Sequence, residues 1–275
     1  MSGRSGRDPI GTDRAPGAVG SVTLVGGGPG REDLLTLAAV RALRYADVVL
    51  YDRLAPHDRL DELAPGAVLV DVGKRPGHHA IPQADIEALL VEHALAGARV
   101  VRLKGGDPYV LGRGGEEVLA CHRAGVPVEV IPGVTSAISV PGAAGIPLTH
   151  RGVSHLFTVV SGHQPLSASE LEHLAGLGGT IVVLMGVNTL PSLTAGLARA
   201  GMSERMPVAI VERGFSSEQR TTIGELADIV TTAGRAHVAS PAVVVIGEVV
   251  RLAHDGDASA AELMDRAAGF AAVAG

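Results

Sequence analysis

The chain has 275 residues, of which 46% are apolar, and carries a formal net charge of −6 at pH 7. This length allows two domains with substantial cores, and the negative charge argues against non-specific nucleic-acid binding. No apolar run reaches the roughly 18 residues that a membrane span needs. The single cysteine, Cys121, excludes an internal disulfide and fits a reducing compartment. We therefore expect a cytoplasmic protein with this thiol in its core.

The first strongly patterned stretch joins a strand, a glycine turn and the start of a helix. Residues 1–20 ahead of it are rich in Gly, Arg, Asp and Pro, which predicts a disordered leader. Apolar residues in 21–25 predict a buried strand, and the glycines in 26–30 let the backbone turn sharply and approach a ligand. Asp33 and Thr36 are expected in the first turn of the helix. This order places backbone N–H groups at the mouth of an α/β sheet.

A dinucleotide site is one interpretation of the glycine turn. Its fingerprint needs three glycines, and Gly26 and Gly28 fit the first two positions, but Arg31 occupies the third. Pro29 also lacks the amide hydrogen that would help to hold a pyrophosphate. A Walker-type phosphate loop is excluded because the Gly-Lys pair is followed by Arg75 instead of Ser or Thr. A nucleoside-type ligand without a pyrophosphate is the alternative interpretation of the turn.

The next predicted strand, residues 46–52, ends in a carboxylate. Asp52 lies where a dinucleotide-binding protein would place an acid that holds a ribose. The alternative is a catalytic or substrate-orienting carboxylate, which Arg53 directly after it favours. A third strand, residues 68–72, leads into a basic loop that contains Lys74 and predicts either an anion site or a solvated turn.

Two further strand ends carry candidate functional loops. Residues 98–103 form a predicted strand that runs into the glycine-rich and charged stretch 104–117. We expect this stretch to be a functional loop, because ligands of open α/β sheets bind at the carboxyl ends of strands. A fifth strand, residues 126–131, is followed by Thr135 and Ser136, which can cap the next helix and contact a ligand.

A loop-like stretch around residues 142–152 predicts a domain boundary, with a first domain over 21–146 and a second over 147–254. Residues 255–275 predict a tail that is helical or disordered. The predicted fold class is α/β, with two α/β domains and the active site in the cleft between them. The second domain has predicted strands at 156–160, 180–185, 208–212, 220–223 and 242–246, and predicted helices at 169–177, 190–200 and 225–232.

The loops expected to face this cleft are basic, although the chain as a whole is acidic. A basic cleft in an acidic protein attracts an anionic substrate, such as a compound with several carboxylates or phosphates. The cations in question are Arg53, Lys74, Arg75, Arg102, Lys104 and Arg113.

Seven short motifs occur together and in a fixed order. They are Gly26-Gly27-Gly28-Pro29-Gly30, Tyr51-Asp52-Arg53-Leu54, Val72-Gly73-Lys74-Arg75, Arg102-Leu103-Lys104-Gly105-Gly106-Asp107-Pro108, Gly112-Arg113-Gly114-Gly115-Glu116-Glu117, Pro132-Gly133-Val134-Thr135 and Gly145-Ile146-Pro147-Leu148-Thr149-His150-Arg151. Each motif is weak by itself, but the ordered set resembles the tetrapyrrole methylase family over about residues 20–252. One departure is Gly27, where the family often has alanine.

The resemblance implies a homodimer of two-domain α/β chains that binds S-adenosylmethionine in the cleft and needs no metal. It further implies two successive methyl transfers to carbons C2 and C7 of uroporphyrinogen III, which give precorrin-2, the precursor of sirohaem and cobalamin. The family's proposed proton acceptor corresponds to Asp52, its proposed proton donor to Lys74, and an arginine near the reaction centre to Arg102. The corresponding cofactor-binding residues are Pro29, Gly105, Gly106, Asp107, Val110, Thr135, Ser136, Met185 and Gly214.

Three other functions compete with this interpretation. The first is a methylase that acts on a later precorrin, and the second is a nucleotide-binding or regulatory module without chemistry. The third is a dinucleotide oxidoreductase, which Pro29 and Arg31 disfavour.

Overall fold

The computed structural model describes residues 18–73 and 81–253. Most of the predicted leader, the basic loop from Lys74 and the predicted tail therefore lie outside the described residues. Within this part of the chain, no helix is long and apolar enough to cross a membrane. The chain divides into two compact units between Thr135 and Ser136.

The first unit is built on five parallel strands in the order β3-β2-β4-β1-β5, so β4 is the central strand. Its elements in chain order are β1 (Ser21–Gly26), a short 3-10 helix (Glu32–Leu34), α1 (Leu37–Arg44), β2 (Val48–Tyr51), α2 (Leu60–Leu63), β3 (Val68–Asp71), α3 (Gln83–Leu95), β4 (Arg99–Lys104), α4 (Gly114–Arg123) and β5 (Val128–Ile131).

Both faces of this parallel sheet are covered, which explains why the buried positions of its inner strands are apolar except for Arg102 and Lys104 of β4. On one face, Val100 of β4 packs in a cluster with Leu90 of α3 and with Cys121 of α4. On the other face, Val101 packs with Leu43 of α1. Cys121 is fully buried and burial raises the pKa of its thiol to about 11, which confirms the prediction of a core residue.

The second unit contains a mixed sheet in the order β6-β7-β10-β8-β9. Strands β6 and β7 are parallel, and the other neighbouring pairs are antiparallel. Its elements are α5 (Ser136–Ala143), β6 (Phe157–Ser161), α6 (Ala168–Leu177), β7 (Thr180–Leu184), α7 (Leu190–Arg199), β8 (Pro207–Glu212), β9 (Arg220–Glu225), α8 (Ile229–Arg235), β10 (Ala242–Ile246) and a 3-10 helix (Glu248–Leu252).

Helix α5 belongs to the second unit, although the sequence suggests a boundary only after residue 146. The cause is the direction of its apolar face, since Val140 and Ala144 are buried in a cluster with Val182 and Val245 of the second sheet. A glycine-rich stretch marks a change in local structure, whereas the packing of the preceding helix decides where the unit begins.

Several predicted elements differ from the observed ones by one or two residues at an end, and three differences have a clear structural cause. Thr36 is the N-cap of α1, where its hydroxyl accepts a hydrogen bond from Ala39 N at 3.1 Å, and it does not lie within the first turn. Strand β9 continues to Glu225, and Asp228 accepts a hydrogen bond from Glu225 N before α8 begins, so the predicted helix start at residue 225 is wrong. Helix α4 begins at Gly114, inside the stretch predicted to be a loop.

Candidate active site

Three loops meet at the edge of the first sheet where the parallel strands end, which we call the carboxyl edge. Gly28, after β1, and Gly106, after β4, exchange backbone hydrogen bonds of 3.1 and 2.7 Å. Asp107 joins the loop after β5, because its Oδ2 accepts a hydrogen bond from Gly133 N at 3.0 Å, while Oδ1 accepts one from Tyr109 N at 2.8 Å. This edge is where ligands of open α/β sheets bind.

The loops approach so closely that side chains are excluded at the contact. A Cβ atom on Gly133 would lie 2.4 Å from Gly106 O and 2.6 Å from Gly26 Cα. A Cβ atom on Gly27 would lie 2.7 Å from Pro56 Cδ, so the alanine that is common in the family at this position would require the neighbouring loop to shift. The glycines therefore serve close backbone packing.

In the first unit, the structure places the predicted cofactor-binding residues at or beside the carboxyl edge. They are partly exposed, which leaves them accessible to a ligand. Asp107 differs from the others because both of its carboxylate oxygens already accept backbone hydrogen bonds, and it therefore braces two loops. These residues are Pro29, Gly105, Gly106, Asp107, Val110 and Thr135.

In the second unit, Met185 follows β7 and Gly214 lies just after β8. Both strands run antiparallel to β10, so they share a direction and their carboxyl ends lie at the same edge of the second sheet. Met185 has a φ of 60° and is 48% exposed, and Arg213 has a φ of 47°. Non-glycine residues in this conformation are strained and cluster at functional sites. Ser136, the remaining predicted residue, is the first residue of α5.

Four charged residues form the charge cluster of the first unit: Asp52 directly after β2, Arg102 and Lys104 of β4, and Glu117 of α4. Arg102 and Lys104 alternate along β4, so their side chains leave the sheet on the face that α3 and α4 cover. Their relative exposures are 2% and 3%, and that of Glu117 is 0%. Glu117 Oε1 accepts hydrogen bonds from Arg102 Nε at 3.1 Å, Lys104 Nζ at 2.9 Å and Gln83 Nε2 at 3.2 Å.

Arg102 connects this buried carboxylate to a partly exposed one. Its Nη2 donates to Asp52 Oδ1 at 2.5 Å, and its Nη1 donates to the Leu103 carbonyl at 3.2 Å. The Asp52 side chain is 30% exposed, and within the described ranges no donor is bound to its Oδ2. Arg102 therefore orients one carboxylate oxygen at the carboxyl edge and leaves the other open to a ligand.

The charge cluster contains two cations and two carboxylates, so its formal charges balance. Burial lowers the pKa of Lys104, and the positive charge of Arg102 adds to this effect, while Glu117 and Asp52 act in the opposite direction. Glu117 Oε2 is buried and has no hydrogen-bond partner among the described residues. Since burial disfavours charged forms, the buried Lys104 ammonium depends on the Glu117 carboxylate to compensate its charge.

The prediction of a basic cleft is wrong for two of its cations. Arg102 and Lys104 are buried and paired with Glu117, as the cluster shows. Arg113 is exposed but donates two hydrogen bonds, of 2.8 and 2.6 Å, to Glu116. The basic residues assigned to the cleft from the sequence thus include side chains that form ion pairs with carboxylates of α4.

Of the other predicted cations, Arg53 is exposed beside Asp52, whereas Lys74 and Arg75 lie outside the described residues. The sequence interpretation gave no role to Glu117 or to Gln83. The signal that could have found them is the pair of cations at alternate positions of an otherwise apolar strand, which requires a buried carboxylate nearby.

The geometry disfavours a dinucleotide site. The position of the third glycine is occupied by Arg31, which is exposed and pairs with Asp33. The acid expected to hold a ribose is Asp52, but one of its oxygens is bound to Arg102. Neither feature of a pyrophosphate or ribose site is therefore present at these positions.

Comparisons with known proteins give a consistent result. The family model of tetrapyrrole (corrin/porphyrin) methylases matches residues 21–230. The S-adenosyl-L-methionine-dependent uroporphyrinogen III methyltransferase of Methanosarcina barkeri is 46% identical over 243 residues, which cover 87% of this chain and 95% of that protein.

Two solved structures extend the comparison. The uroporphyrin-III C-methyltransferase of Thermus thermophilus, complexed with S-adenosylhomocysteine, is 47% identical, with a TM-score of 0.72 over 85% of this chain and 100% of that chain. A cobalt precorrin-4 methyltransferase is 26% identical, with a TM-score of 0.73 over 84% of this chain and 95% of that chain. On the match of the family model and the identity to these relatives, the chain belongs to the tetrapyrrole methylase family.

Proposed function

We propose that the protein is an S-adenosylmethionine-dependent C-methyltransferase that methylates uroporphyrinogen III at C2 and C7 to give precorrin-2. The observation that carries this proposal is the 46–47% identity, over nearly the full length of both chains, to proteins named for this reaction. The precorrin-4 enzyme, which represents the later-precorrin alternative, is only 26% identical, although its fold is equally similar.

The carboxyl edge of the first sheet fits the methyl donor better than a dinucleotide. S-adenosylmethionine contains a nucleoside but no phosphate, and Pro29 removes an amide that a pyrophosphate would use. When bound, the donor supplies an electrophilic methyl group on a sulfonium. In our proposal Pro29, Gly105, Gly106, Asp107, Val110 and Thr135 of the first unit hold it. The cofactor-binding roles of Ser136, Met185 and Gly214 in the second unit stay predictions.

Asp52 is the proposed proton acceptor. Each methyl transfer would break the methyl–sulfur bond of the donor and form one C–C bond to the ring, with S-adenosylhomocysteine as the leaving group. The macrocycle must then lose one proton. Asp52 offers a partly exposed carboxylate whose Oδ1 is fixed by Arg102, which supports a role for Oδ2 in accepting this proton. A fixed carboxylate also loses less freedom when the substrate arrives, because its orientation is already set.

Substrate binding requires other cations. Uroporphyrinogen III carries eight carboxylates, whereas Arg102 and Lys104 are buried and cannot meet them. Arg53 is exposed beside Asp52 and is the cation that we propose for substrate binding in the described part of this loop. Lys74, as proton donor or carboxylate ligand, stays a prediction.

The homodimer and the cytoplasmic location also stay predictions. A homodimer is proposed from the resemblance, and light scattering on the purified protein determines the mass that decides it. The cytoplasmic location is proposed because the chain has a single, buried cysteine, which fits a reducing compartment.

The proposed reaction is tested by counting methyl groups. The purified protein is incubated anaerobically with uroporphyrinogen III and isotopically labelled S-adenosylmethionine, and the macrocycle is analysed by mass spectrometry. We expect two labelled methyl groups in the final product. A macrocycle without label, together with methylation of a later precorrin supplied in parallel, would contradict the proposal and favour the alternative substrate.

Asp52→Asn is expected to lower kcat by roughly 10²–10⁴-fold while the affinity for S-adenosylhomocysteine is unchanged. Asparagine keeps an oxygen that can accept the hydrogen bond of Arg102, but it cannot take up a proton as a base. Steady-state kinetics and calorimetric titration measure the two quantities. Asp58→Asn is the matched control, because the Asp58 side chain is 97% exposed. Equal losses of binding and of kcat would contradict the assigned role.

Asp107→Ala is expected to weaken the binding of S-adenosylhomocysteine by about tenfold, since it removes the hydrogen bonds that hold Tyr109 N and Gly133 N. Asp107→Asn keeps one acceptor oxygen and should lie between the wild type and the alanine variant. Calorimetric titration of all three proteins measures the series. Unchanged affinity in the alanine variant would show that the brace is not needed for the cofactor.

A further inference from the structure

We propose that Glu117 is a positioning residue for the methyl transfer, because it fixes Arg102 from the protein interior so that Arg102 can orient the Asp52 carboxylate. The effect of Glu117 on methyl transfer rests on the proposed function. The structural part of the inference concerns the contact between Arg102 and Asp52 and does not depend on the substrate.

Hydrogen bonds at several nitrogens fix the guanidinium of Arg102. This group is planar and rigid, so a hydrogen bond at one nitrogen restricts the direction of the others. Glu117 accepts from Nε, the Leu50 and Leu103 carbonyls accept from Nη1, and Asp52 accepts from Nη2. Removing the Nε contact leaves two weak carbonyl contacts, at 3.4 and 3.2 Å, to define the plane.

Glu117 also supplies negative charge to two buried cations. Glu117 is the fully buried acid of the charge cluster, and its Oε1 serves Arg102 and Lys104 together. Without its charge, the two buried cations share Asp52 as the remaining carboxylate of the cluster. Lys104 then competes with Arg102 for Asp52, which changes the direction in which Asp52 presents its free oxygen.

Glu117 is fully buried and has no surface for a substrate to contact. It lies on α4, and its Oε1 also accepts a hydrogen bond from Gln83 of α3. A side chain without exposure cannot contact the substrate directly. Its effect on the reaction must therefore pass through the side chains that it binds, and of these Arg102 is the one that donates to Asp52.

The test compares Glu117→Gln with Glu117→Asp and with the double variant Glu117→Gln/Lys104→Met. We expect Glu117→Gln to lower kcat by about tenfold to a hundredfold, with the KM for uroporphyrinogen III and the affinity for S-adenosylhomocysteine within about twofold of wild type. Aspartate keeps the charge and should restore part of kcat. The double variant restores the charge balance and should also recover part of it.

Leu90→Ala is the control for general destabilisation. Leu90 is fully buried in α3 on the same face of the sheet and does not belong to the charge cluster. Its variant should lower thermal stability but leave kcat unchanged at temperatures where it is folded. Equal losses of kcat in Leu90→Ala and Glu117→Gln at matched stability would overturn the proposal.

Coupling to Asp52 gives an independent kinetic criterion. In the Asp52→Asn background, Glu117→Gln should cause less than a twofold further loss of kcat, because the residue through which it acts is already inactive. A full additional loss in that background would mean that Glu117 acts by another route and would overturn the proposal.

The crystal structure of Glu117→Leu supplies a readout that needs no activity, because leucine, unlike glutamine, offers no oxygen to the Arg102 Nε–H. We expect the distance between Arg102 Nη2 and Asp52 Oδ1 to exceed 3.5 Å, compared with 2.5 Å in the present structure. An unchanged contact would overturn the proposal. If the wild-type protein methylated no uroporphyrinogen III, the proposed function would fail, while this distance would still decide whether Glu117 positions Arg102.

Discussion

The buried charge of the central strand β4 is the constraint on which the candidate site depends. Arg102 and Lys104 leave the sheet on a face covered by helices, where water cannot compensate their charge. Glu117 of α4 provides that compensation, so the position of α4 and the charge of β4 are mutually dependent. Asp52 is the partly exposed member of the charge cluster, and it accepts a hydrogen bond from the same guanidinium.

A second constraint is the close meeting of the loops at the carboxyl edge. Gly26, Gly106 and Gly133 allow the backbones to touch, and Asp107 ties the loop after β4 to the loop after β5. This brace sets the surface on which we propose that the cofactor lies. In our proposal, binding and chemistry thus depend on different carboxylates, with Asp107 bound to backbone groups and Asp52 oriented by a side chain.

Much of this organisation could be predicted from the sequence. Apolar runs located the strands, and the carboxyl-end rule pointed to Asp52 and to the loop that follows β4, because these signals are local. The role of Glu117 could not be predicted in the same way. It depends on a contact across fifteen positions of the chain, from Arg102, and on a helix whose first residues, Gly114 and Gly115, resemble a loop.

The prediction of a basic cleft failed for the same physical reason. A charge in the sequence carries no information about its partner, and Arg102, Lys104 and Arg113 all have carboxylate partners in the fold. The boundary of the second unit likewise depended on where α5 buries Val140, which is a question of packing. Local sequence patterns predict strands and loops. Ion pairs and the boundary between the units depend on contacts between residues that are far apart in the chain.

The central claim is that Glu117 holds Arg102 rigidly in the interior. Nitrogen-15 NMR of arginine side chains tests it directly, by measuring the hydrogen exchange rate of the Arg102 Nε–H. The account predicts exchange that is slower by orders of magnitude than at the exposed Arg53, because this hydrogen is donated to a fully buried carboxylate. An Arg102 Nε–H that exchanges as fast as that of Arg53 would contradict the claim.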